Sequence, residues 1–181
     1  MNNTTNGDNK DLFQENVLTR KITLPVNYIK NQNSIINNLT KYLNNNYSGK
    51  CIEEGYILKN SIKIMTYSNG MCKSDSLEFS VVFNAFICHI FENMIIDCKI
   101  ESITKAGFKC SAILDDSIKT ENLTKYITES PIIVFCARDH HYDNEKFTEY
   151  DITDNNIVRV RVLGSRYELN DEYISVIGVL I

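Results

Sequence analysis

Tryptophan is absent and proline occurs only twice in 181 residues, so no proline-rich linker or recognition segment divides the chain. No two of its six cysteines form a Cys-x-x-Cys pair, which removes the usual signal for a zinc ribbon or a thioredoxin-type site. The seven glycines are all isolated, so no glycine-rich loop cradles a phosphate. No apolar run approaches the roughly 20 residues of a membrane-spanning helix. The start, Met-Asn-Asn-Thr-Thr-Asn, lacks the basic-then-apolar layout of a secretory signal. Positive charge is also short: the net charge of −4 excludes a polybasic nucleic-acid binder held by bulk electrostatics.

What is present is ordinary for a folded chain, with 43% hydrophobic and 23% charged residues. Asn and Ile together make about a quarter of it, the composition of an AT-rich genome. Cys51, Cys72, Cys88, Cys98, Cys110 and Cys136 read as reduced, mostly buried thiols of an intracellular protein.

Residues 1–11 are polar and predict a disordered tail. Leu12 to Val26 reads as extended, with Val17, Ile22, Leu24 and Val26 as its apolar positions. Ile35, Ile36, Leu39, Tyr42 and Leu43 then fall on one stripe of a 3.6-residue period, predicting a helix capped by Asn33 or Ser34 and ended by Asn44-Asn45-Asn46. From Gly49 onward the period is two. Ser68-Asn69-Gly70 predicts a turn, and Phe79, Val81, Phe83, Ala85 and Ile87 one face of a long strand. Ile96, Cys98 and Ile100 alternate with charged neighbours, as Phe108, Cys110, Ala112 and Leu114 do with Lys109, Ser111 and Ile113. A short turn at Lys105-Ala106-Gly107 joins these two strands.

A short helix around Leu123, Tyr126 and Ile127 is expected next, then an apolar strand Ile132–Cys136. Six acids stand between Asp139 and Asp154 against one base, Lys146, predicting an exposed loop. Val158, Val160 and Val162 face in with Arg159 and Arg161 facing out, followed by a turn at Gly164 and a strand over Ile174–Leu180. The expected fold is an α+β N-terminal unit over 12–82, one helix on a small antiparallel sheet, and an all-β OB-type barrel over 83–181. With no linker between them, the halves are expected to pack rigidly.

Cys136, His140, His141 and Asp143 are the one constellation with metal-ligand chemistry, and the same Cys and His types serve nucleophilic catalysis. Adjacent histidines rarely converge on one ion without a helix to place them, so a solvated acidic loop is the simpler reading. His89 reads as a surface residue beside the barrel mouth. No cofactor or metal is signalled and no enzyme chemistry has positive support. Charge divides unevenly: residues 1–80 carry nine bases and seven acids, and residues 81–181 carry ten and sixteen. The loop over 139–154 alone supplies −5 of that second sum. Outside it, Lys99, Lys105 and Lys109 stand near Phe108, and Arg159, Arg161 and Arg166 lie on the later strand and its turn. Basic residues with an aromatic on a barrel face suit single-stranded RNA, by phosphate contact and base stacking. Arg159 and Arg161 fit a solvated strand face nearly as well, and Phe108 more often serves a core than a stacking platform.

Ala85-Phe86-Ile87-Cys88-His89-Ile90-Phe91-Glu92-Asn93-Met94-Ile95-Ile96-Asp97 resembles the segment that opens the barrel domain of RNA polymerase stalk subunits, the family of the seventh subunit of RNA polymerase II and archaeal E-prime. The family pattern is a basic residue, Pro-Phe-x-Gly-Glu, two apolar residues and Asp. Phe91, Ile95, Ile96 and Asp97 match it, while His89, Ile90, Asn93 and Met94 replace the basic residue, proline, glycine and glutamate. Ile103-Thr104-Lys105-Ala106-Gly107-Phe108 is similar to the family's Lys-x-Gly turn, and Ile157–Arg166 with Ile177-Gly178 to its closing strands. Gly49-Lys50-Cys51 and Glu54-Gly55-Tyr56-Ile57 resemble the tip-domain signature.

The resemblance covers about residues 12–181 and implies a non-catalytic subunit of a DNA-directed RNA polymerase. Tyr67, Ser68, Asn69, Gly70 and Met71 would dock on the core subunits, and the barrel would touch nascent RNA during transcription. A second stalk subunit is a further implied partner where the source encodes one. No membrane is involved. The source would be a large DNA virus or an AT-rich protist, and the compartment the nucleus, host cytoplasm or virion. The alternative is a stand-alone OB-fold protein that binds single-stranded RNA or acts in translation.

Overall fold

The computed structural model describes residues 12–29, 31–114, 130–141 and 157–181. The strand with the strictest apolar period organises the first half. This is β6 (Ser76–Cys88), in which Phe79, Val81, Phe83, Ala85 and Ile87 are all buried, as their alternation requires. β1 (Phe13–Pro25) runs antiparallel beside it from Phe13↔Cys88 to Pro25↔Ser76. β2 (Cys51–Ile52) pairs with β3 (Gly55–Ile57). The other side of β6 is shared by β3, β4 (Lys63–Tyr67) and β5 (Met71–Lys73). Within β1, Leu18, Ile22 and Leu24 face the core; Val17 and, just beyond the strand, Val26 are exposed, which corrects their expected apolar role.

The helix α1 (Gln32–Tyr47) packs over the buried face of this sheet through Leu39 and Leu43, each fully buried. Burial of that kind stabilises by about 1.5–3 kcal/mol per side chain. Its cap is Asn31 rather than Asn33 or Ser34: the Ser34 backbone N–H donates to Asn31 Oδ1 at 2.8 Å, and the Asn31 N–H donates to Ser34 Oγ at 2.9 Å. That reciprocal pair satisfies helix-start donors that have no partner within the helix. Ile36, expected on the buried stripe, is 41% exposed.

The second half closes on itself. β7 (Ile95–Thr104), β8 (Gly107–Ala112), β9 (Ile132–Ala137), β11 (Ile174–Leu180) and β10 (Ile157–Arg166) pair in that order, and β10 returns to β7. Among the described strands only β9 and β11 run parallel. A closed five-stranded barrel of this kind is consistent with an OB-type barrel and has no free edge. Its interior holds the residues whose alternation was legible: Ile96, Cys98 and Ile100 on β7, and Val158, Val160 and Val162 on β10. β10 does not turn at Gly164; it continues to Arg166, with the pairing shift between Val162 and Gly164 that marks a bulge. The expected helix around Leu123, Tyr126 and Ile127, the tail over 1–11, and the acidic loop beyond His141 lie outside the described residues.

The two halves share an apolar core. Leu12, Phe13, Cys51, Tyr56, Leu58 and Cys88 belong to the same buried cluster as the barrel interior. The Cys51 N–H donates to the Asp171 carbonyl at 2.8 Å, and the Asn170 N–H to the Cys51 carbonyl at 2.9 Å. A boundary after residue 82 would cut β6 in its middle, where it pairs continuously with β1; the break between the sheet and the barrel falls after Cys88. All six cysteines are free thiols, and all but Cys72 are buried. Among the described residues no helix is long and apolar enough to cross a membrane.

Candidate nucleic-acid interface

Strand alternation places the basic residues on the outside of the barrel, and register determines which of them meet. Lys99 on β7 lies opposite Ile157 on β10, Arg159 opposite Asp97, and Arg161 opposite Ile95. Lys99, Arg159 and Arg161 therefore share one exposed stretch of the β7–β10 pair. Lys105 stands at the β7–β8 turn, and Lys109 begins the outer face of β8. Arg166 is seven positions beyond Arg159, about 23 Å along an extended strand, and on the side away from Lys105. The candidate residues thus form a stripe with two ends rather than one patch.

Acids temper that stripe. Arg159 Nε donates to Asp97 Oδ1 at 3.1 Å, Lys109 Nζ lies 2.9 Å from Glu101 Oε2, and Arg166 Nη2 lies 2.9 Å from Glu168 Oε1. Such exposed pairs contribute only ~0–1 kcal/mol each to stability, but each neutralises a charge that a phosphate would otherwise see. Among the described residues Lys99, Lys105 and Arg161 form no ion pair.

Phe108 corrects one expectation. It is 1% exposed, packed in the barrel interior with Cys110 and Ala112, and offers no face to a base. The aromatic on the outer wall is Phe135 of β9, 38% exposed, opposite Lys109 on β8 and Ile177 on β11. Ile177 is itself half exposed. The run Ile132–Cys136 is apolar on both faces, so its parity had no polar residue to reveal it. The fully buried Ile132, Val134 and Cys136 leave Phe135 outside. A second exposed aromatic, Phe91, stacks on His89 with ring centroids 6.2 Å apart and planes 12° from parallel, in the segment joining sheet to barrel.

The Tyr67–Met71 turn links β4 to β5. Tyr67 packs edge-on against Phe79 at 6.2 Å. The Ser68 N–H donates to the Ser80 carbonyl at 2.9 Å, and Ser68 Oγ accepts from the Ser80 N–H at 2.9 Å. Asn69 and Gly70 beyond that anchor are exposed, and Met71 is 65% exposed with Met65 at 61%. An anchored turn carrying flexible thioether side chains is suited to contact with another protein.

The Cys136, His140, His141 and Asp143 set does not converge. Cys136 is buried in the barrel and hydrogen-bonded to Cys110, whereas His140 is exposed on the short 3-10 turn Arg138–His140. His141 is buried with both ring nitrogens used: Nε2 accepts the Leu180 N–H at 2.8 Å, so Nδ1 carries the proton and donates to the Ala137 carbonyl at 2.7 Å. It ties the end of β9 to the end of β11. Asp143 lies outside the described residues. Among the described residues no three His, Cys, Asp or Glu side chains gather as a metal ion needs.

Nor is any of the shifted thiols poised for attack. Burial first, then the Asp171 charge, pushes Cys51 up to about 11. Burial raises Cys88 to about 12 and Cys98 further. The hydrogen bond to Cys136, then burial, holds the Cys110 thiol protonated. A thiol shifted upward is a poorer nucleophile at neutral pH, the reverse of an activated cysteine.

Two of the motif positions have a backbone reason. Asn93, standing where the resembled pattern has glycine, has φ +65°, a left-handed conformation that Asn tolerates better than other side chains. Gly107 has φ +146°, and a Cβ there would collide with the Cys136 carbonyl on β9. Compared with known proteins, the chain matches no protein-family model and no curated protein.

Proposed function

We propose that this chain is a non-catalytic stalk subunit of a multisubunit DNA-directed RNA polymerase. The sheet half docks on the core through the Tyr67–Met71 turn, and the barrel half contacts nascent single-stranded RNA. The observation that carries the reading is positional. Two positions in the stretches that resemble the stalk family have a backbone reason: Asn93 is left-handed at the sheet-to-barrel crossing, and Gly107 has no room for a side chain at the first barrel turn. The exposed Met71 on an anchored turn supports docking, and Phe135 between Lys109 and Ile177 supports stacking of a base on the barrel wall. A subunit held at the polymerase by one half needs only weak RNA affinity in the other, because tethering raises the effective concentration. The partial neutralisation of the basic stripe is compatible with that division of labour.

A second reading, a stand-alone barrel protein that binds single-stranded RNA, is favoured by the same Phe135 and Lys109 pair and needs no polymerase. Affinity capture of the tagged full chain from a lysate of its source separates the two. The stalk reading predicts stoichiometric recovery of the large polymerase subunits. RNA recovered without any polymerase subunit favours the second.

A further inference from the structure

Among the described residues the first strand presents a long exposed edge. β1 ends the sheet: β6 lies on one side of it and no strand among the described residues on the other. It runs for 13 residues, long for an edge, where about 5–6 is typical of strands generally. Its pairing with β6 runs without a register shift, so no bulge twists the edge away. Its single proline stands at the last position, Pro25. Proteins usually shorten, bulge or interrupt such an edge, because its unpaired N–H and C=O groups are a template for another strand. Gln14, Glu15, Val17, Thr19, Lys21 and Thr23 are all exposed, with Val17 at 60%.

We propose that β1 is a self-pairing surface, on which a second copy of this chain adds its own β1 antiparallel to make one sheet continuous across the dimer. Side-chain parity and charge select the register. A twofold axis normal to the sheet keeps equivalent faces together, so the residues facing each other across the seam must be both odd or both even. Centring the axis at Leu18 sets Glu15 opposite Lys21 twice and Val17 opposite Thr19 twice. Centring it at Val17 sets Glu15 opposite Thr19 and Lys21 opposite Phe13, and centring it at Thr19 sets Glu15 opposite Thr23 and Lys21 opposite Val17, so neither charge meets an opposite one. Opposite charges directly across a strand pair are favourable, and like charges there are not.

Within its own chain neither Glu15 nor Lys21 forms an ion pair among the described residues. Glu15 accepts a hydrogen bond from Asn84 Nδ2, and Lys21 lies near Glu78, whose carboxyl is already paired with Lys73 Nζ at 2.6 Å. In the proposed register Lys21, which on an isolated edge would deter pairing, becomes the attractive element. The seam uses backbone hydrogen bonds and these two charge pairs, and it stands independently of the polymerase reading.

Light scattering on the size-fractionated full chain tests it. The wild type is expected to approach twice the monomer mass as concentration rises. Lys21→Glu, an exposed substitution, is expected to keep the circular dichroism spectrum of the wild type and to lose the dimer by placing Glu opposite Glu. The double variant Glu15→Lys with Lys21→Glu is expected to recover it. A wild type that stays monomeric at every concentration overturns the proposal. So does a dimer that survives Lys21→Glu, or one that the double variant fails to restore.

Discussion

At Gly107 the chain has no room for a side chain: the φ of +146° is one L residues rarely adopt, and the Cys136 carbonyl occupies the Cβ position. At Gly164 nothing lies within 4 Å, and its φ is not in the left-handed region. Gly107→Ala is therefore expected to lose more than the ~1–3 kcal/mol that backbone strain alone costs. Gly164→Ala is expected to change stability by less than about 0.5 kcal/mol, as unconstrained surface sites do. Urea unfolding of the two variants checks the contrast; equal losses would mean that the Gly107 turn yields. Asn93 makes the same point from the other side. Glycine is not required where an asparagine can hold φ +65°, so the departure from the resembled pattern there leaves the backbone path intact.

At the scale of strands, the candidate interface depends on which face of each strand looks outward. β7 and β10 were legible because Asp97, Lys99, Arg159 and Arg161 mark the wet face between buried Ile, Cys and Val residues. β8 was legible too, since Lys109 and Ser111 alternate with Phe108 and Cys110, and that alternation already argued for Phe108 inside. β9 was not, because an apolar run carries no parity signal, and its exposed Phe135 emerges only from the pairing with β8 and β11. The parallel β9–β11 contact, 42 residues apart at Ile132↔Ile174, is a long-range choice that no local pattern encodes. Phe135→Ala is expected to weaken single-stranded RNA binding by about 1–3 kcal/mol, the worth of one stacked base, with little change in fold. Arg161→Glu is expected to weaken binding and flatten its salt dependence, the mark of a lost phosphate contact. Fluorescence anisotropy titrations at several salt concentrations distinguish the two effects. Unchanged binding in both variants would assign this wall of the barrel to a protein contact.

For the whole molecule, the shared core makes sheet and barrel interdependent, and its thiols give that dependence a pH signature. Cys51 and Cys88 lie where the halves meet, shifted from the ordinary 9.0 up to about 11 and about 12. An acid whose folded value is raised binds its proton more tightly in the native state than in the unfolded chain. Stability is then level below 9.0 and falls as pH rises from there through the folded values of about 11 and about 12. Urea midpoints measured from neutral into alkaline solution are expected to stay level and then drop. Replacing Cys88 by Ala is expected to make that drop shallower, and an unchanged profile would mean that this thiol is not held protonated by the fold. The helix, the long β6 and the inward valines of β10 were readable from local periodicity. The missing linker already argued that the halves pack together, but the contacts that join them, such as Cys51 with Asp171, link distant segments and leave no local pattern.

The central claim is that the sheet half grips a polymerase while the barrel half faces RNA. Cross-linking mass spectrometry of the complex captured with the full chain tests it most directly, since Lys63 and Lys73 flank the Tyr67–Met71 turn while Lys99 and Lys105 lie on the barrel. The account predicts links from Lys63 and Lys73 to the large polymerase subunits, with Lys99 and Lys105 free of such links. A complex without polymerase subunits, or one linked to them only through the barrel lysines, would contradict it.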